Sequence, residues 1–120
     1  MRELRFRVWD GEQMHGVVDH INFSRKLIGI GDKRFAYWST RPCKVQIMQF
    51  IGLKDKNNKD IYEGDIVEQR NYINELQGTY EVRFEQARFV FHDPKKPEVS
   101  GHYISPEQLE VVGNIYEVLK

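Results

Sequence analysis

The sequence predicts a mainly β domain of short antiparallel strands joined by tight turns, with one short helix. Apolar residues recur with a period near two in most segments, the spacing that lines one face of a strand. Turn residues such as Asp10-Gly11, Gly31-Asp32 and Glu63-Gly64 punctuate those segments. Only Ser105-Pro106-Glu107-Gln108 carries a helix start: serine as N-cap, proline at the first helical position and Gln108 placed to close a capping box.

Element by element, Leu4, Phe6 and Val8 alternate with Arg5, Arg7 and Trp9, giving a first strand that ends at Asp10-Gly11. Val17 to Phe23 reads as a second strand and Leu27 to Ile30 as a third. Gly31-Asp32-Lys33 turns the chain into Arg34 to Ser39, where Phe35, Tyr37 and Trp38 favour a fourth. Val45 to Leu53 is strongly apolar, and the polar turn "KDKNNKD" follows it. In "IYEGDIVE", Gly64 supplies the positive φ of a tight reversal before Ile66 starts the next strand. Asn71 to Gln77 has weak periodicity and is assigned either to loop or to a second helix. Tyr80, Val82 and Phe84 then alternate with Thr79, Glu81, Arg83 and Glu85 in the clearest strand, paired as a hairpin with "RFVFHD" across Gln86-Ala87. Leu109-Glu110 leave room for about one helical turn before a closing strand, Val111 to Tyr116.

The 120 residues suit one compact domain, and 40 % apolar, 12 % aromatic and 30 % charged residues exclude a disordered or collagen-like chain. The longest apolar run, Leu27 to Gly31, is far below a membrane span, and the alternating N-terminus lacks the apolar core of a signal peptide. The single cysteine, Cys43, cannot form an internal disulfide. A cytoplasmic protein without membrane contact is expected.

No reactive constellation emerges. His15, His20, His92 and His102 lack metal-ligand spacing, and Asp55 to Asp60 departs from a calcium loop, with lysine at the fifth ligand position and aspartate where glycine is needed. "GIGDKR" lacks the features of a phosphate loop. Cys43 has no partner arrangement for nucleophilic work. Glu63, Asp65 and Glu68 sit beside a turn, where carboxylates ordinarily cap backbone N–H groups. No catalytic, cofactor-binding or metal-ligating residue is assigned, and a non-enzymatic protein is expected.

Charge is balanced overall but unevenly placed. Residues 1–59 hold 12 basic and 6 acidic side chains; residues 60–120 hold 6 and 12. Between Arg25 and Lys59, nine basic residues face only Asp32 and Asp55. Arg25, Lys26, Lys33, Arg34, Lys54, Lys56 and Lys59 are therefore candidate phosphate contacts, with Tyr37 and Trp38 as stacking residues, for a nucleic-acid-binding alternative. Pairing with the acidic half competes with this reading, as does self-association through opposite patches.

Three blocks, "MRELRFRVWD", "MQFIGLKDKNNKDIYEGDIVE" and "EVVGNIYE", resemble the YopX family of small phage- and prophage-encoded proteins. Asn58 stands where the family commonly has glycine. The resemblance implies a small pseudo-barrel of antiparallel strands with a short capping helix, organised as one domain with an N-terminal meander (1–44) and a barrel core with closing strand (45–118). It brings no functional residues, so Gly52, Gly64, Gly113, Trp9, Tyr62 and Tyr116 are read as fold positions. The expected role is an accessory binding module in the host bacterial cytoplasm. Its expected partner is a host or phage protein, or a second copy of the chain.

Overall fold

The computed structural model describes residues 4–16, 18–22, 24–25, 27–30, 33–36, 45–85, 88–95 and 104–117. It is mainly β, with antiparallel sheets, one of which forms a half-barrel. The chain divides into two compact units, Met1–Phe50 and Ile51–Lys120.

In the first unit, β1 (Phe6–Trp9) pairs with β2 (Met14–His15) and with the first half of β6 (Gln46–Lys54), placing Val8 opposite both His15 and Ile47. β2 follows from Asp10. Its Oδ1 accepts the N–H groups of Glu12 and Gln13 at 2.8 Å each, and Gly11 takes φ 103°, which folds the chain back at once. Those backbone bonds, with a 2.7 Å bond donated by His15 Nε2 to Oδ2, hold the Asp10 carboxyl at about 2, below the usual carboxylate range. A meander of β3 (His20–Asn22), β4 (Leu27–Ile30) and β5 (Lys33–Ala36) completes the unit. Among its described residues Val8, Trp9, Ile28, Met48 and Phe50 are the buried large apolar ones, and the Arg5 guanidinium lies 4.2 Å from the Phe50 ring centroid.

The second unit takes the rest of β6, then β7 (Asp60–Tyr62), β8 (Asp65–Arg70), β9 (Leu76–Glu85), β10 (Arg88–His92), a 3-10 turn (Pro106–Gln108) and β11 (Leu109–Asn114). Four of these strands form a sheet in the order β10-β9-β8-β11. Register shifts at Gln69/Arg70 and at Val111/Gly113 interrupt its ladders, and such bulges bend and twist a sheet. Ile61, Val67, Val82, Phe91, Ile104 and Leu109 form the core, flanked by Ile51, Leu53, Tyr80 and Val111.

Three buried polar residues hold the turns of this unit. Asp55 is 6 % exposed; its Oδ1 accepts the N–H groups of Asn57 and Lys59, and its Oδ2 accepts that of Val111 in β11, all at 2.9 Å. Asp65 Oδ2 accepts the Tyr62 N–H at 2.7 Å, closing the reversal in which Gly64 adopts φ 89°. The Gly64 N–H then donates to the Val82 carbonyl and its carbonyl accepts the Ile115 N–H. Asn114 Oδ1 accepts the N–H groups of Tyr116 and Glu117 at 3.0 Å. Asn58 adopts φ 65°, a left-handed geometry that asparagine tolerates as glycine does.

β6 alternates between more and less buried residues, whereas β4 and β10 each bury two adjacent ones, Ile28-Gly29 and Val90-Phe91, and two local expectations are corrected. Asn71 to Gln77 forms no helix: the segment is a hairpin loop leading into β9. The helix start at Ser105 yields a single 3-10 turn without a side-chain cap, because Val111 and its neighbours are needed in β11. Gln108 closes no capping box; its Oε1 accepts a bond from Gln69 Nε2 at 3.0 Å.

Candidate functional site

The most prominent surface feature of the second unit is the tip joining β8 to β9. Tyr72 is 97 % exposed, Ile73 59 % and Leu76 51 %, so three large apolar side chains face solvent within five residues. The loop beneath them is nevertheless fully braced. Asn71 donates its N–H to the Glu75 carbonyl at 3.0 Å, and its Oδ1 accepts the N–H groups of Ile73 and Glu75. Asn71 Nδ2 donates to Glu75 Oε1 at 3.1 Å, and the Asn74 N–H donates to the Asn71 carbonyl at 2.9 Å. Arg70 donates to the Asn74 carbonyl and to Glu68 Oε1, and Asn74 holds φ 66°. The side chains are thus presented from a loop that loses little further backbone freedom on binding.

Beside this tip lies a cleft of about 550 Å³, lined by Leu76 to Glu81 of β9, Ile66 of β8 and Asp93-Pro94-Lys95. Tyr80 shapes one wall. Its ring folds back over Gly78, and its hydroxyl donates to Gln69 Oε1 at 3.1 Å. A bond from Gln69 to Gln108 extends this polar strip to the 3-10 turn. The outer carboxylates of β9 are partly neutralised by Arg83, which bonds Glu81 and Glu85 and is held more firmly protonated by Glu81 above all.

Of the basic and aromatic residues singled out in the sequence, the structure describes the side chains of Arg25, Lys54, Lys56 and Lys59. Arg25 is exposed in a turn of the first unit, its N–H given to Asn22 Oδ1. Lys26, Tyr37, Trp38 and the side chains of Lys33 and Arg34 lie outside the described residues. Lys54 and Lys56, in the second unit, each meet a carboxylate of the acidic half: Asp60 at 3.8 Å and Glu110 at 3.4 Å. Lys59 is exposed on the Asp55 turn. Two of the candidate phosphate contacts are therefore engaged in ion pairs.

No group of three metal-ligating side chains converges among the described residues, and no helix there is long and apolar enough to cross a membrane. Asp65 is 1 % exposed, which places its carboxylate under the surface. The buried polar residues Asp55 and Asp65 of the second resembling block and Asn114 of the third cap turns. Apolar periodicity carries no signal for the tip. The signal that marks it is Asn71 and Asn74 flanking a short stretch between two strands, where one asparagine supplies an Asx turn and the other a left-handed residue.

A family model described as YopX protein matches residues 5–118. Among solved structures, protein EF1440 from Enterococcus faecalis is 23 % identical with a TM-score of 0.67, over 100 % of this chain and 98 % of that one. Protein yopX from Bacillus subtilis is 22 % identical with a TM-score of 0.62, over 94 % and 93 % of the two chains. At these identities the likeness is one of fold. No curated protein matches the chain.

Proposed function

The chain belongs to the YopX family, and we propose that it acts as a non-enzymatic binding module, engaging a protein partner of phage or host origin. The observation that supports this reading is the β8–β9 tip: Tyr72, Ile73 and Leu76 exposed on a loop whose own hydrogen bonds already fix it. Large apolar side chains in solvent contribute nothing to the core, and tyrosine is among the residues that dominate interface energetics. Rigid display lowers the ordering cost of association. The nucleic-acid alternative is the second reading, and the ion pairs of Lys54 with Asp60 and of Lys56 with Glu110 weigh against it.

The test is affinity purification of the tagged chain from host cells, in parallel with a Tyr72→Ser/Ile73→Ser variant, with sedimentation of both proteins to detect self-association. A partner retained by the parent chain and lost from the variant is expected. Identical recoveries from both proteins, each sedimenting as a monomer, would overturn the proposal.

A further inference from the structure

We draw no further inference here: the strongest candidate, the cleft between β9 and the Asp93-Pro94-Lys95 turn beside the β8–β9 tip, adjoins residues 96–103, which lie outside the described residues, and nothing in the structure shows what covers it.

Discussion

Replacing Asp55 by alanine or by asparagine separates a carboxylate that fastens the fold from one that is merely covered. Its two oxygens serve three backbone N–H groups, two in its own turn and one on β11, 56 residues along the chain. In Asp55→Ala the Val111 N–H is left unpaired in a part-buried place, costing about 1–3 kcal/mol. The Asn57 and Lys59 N–H groups lie where water reaches them, so each loses about 0.5 kcal/mol, and the total is about 3 kcal/mol. For a chain of this length that lowers the thermal midpoint by about 10 °C. Asparagine sharpens the test because it has the same shape with one acceptor exchanged for a donor. Whichever way its amide is turned, the NH₂ faces Val111 or the turn, donor against donor, so Asp55→Asn should cost about 2 kcal/mol or more. Urea unfolding gives both values, and an unchanged m-value would show that the loss lies in the folded state. Asp55→Asn within about 0.5 kcal/mol of the parent would refute the three-bond account.

Asp10 gives a pH dependence. Its folded value of about 2 lies below the 3.8 of the free group, so its stabilisation is complete above about pH 4 and is lost as pH falls toward 2. Discounted for its partial exposure, that amounts to about 1 kcal/mol, and in Asp10→Asn the urea midpoint should lose a corresponding part of its slope between pH 4 and 2. At Gly78 an added Cβ would come within 2.6 Å of the Tyr80 hydroxyl oxygen and 2.8 Å of its ring carbon Cζ. Gly78→Ala should therefore displace the ring, break its bond to Gln69 and cost about 1–2 kcal/mol, and a double-mutant cycle with Tyr80→Leu should recover much of it. Asn58→Gly should stay within about 0.5 kcal/mol of the parent chain at φ 65°, while Asn58→Val should lose about 1–2 kcal/mol, both read by thermal melting.

The strand class and most of the turns are legible in the residues alone, because alternation and turn chemistry are local. Tyr80, Val82 and Phe84 announce β9, and Glu63-Gly64-Asp65 announces the reversal where Gly64 adopts φ 89°. Two of the resembling blocks are local in the same way, since Asp55, Asp65 and Asn114 each cap a turn within four residues of themselves. Packing of the folded chain sets the rest: Asp55 also reaches Val111, Lys54 and Lys56 meet carboxylates from the acidic half, and β10 stops short of Thr79. Those facts depend on register and on distant partners, which no local periodicity encodes. The hairpin tip fell between the two. Its asparagines are local signals, but the exposure of Tyr72 and Ile73 is set by where the sheet ends, and that is a property of the packed chain.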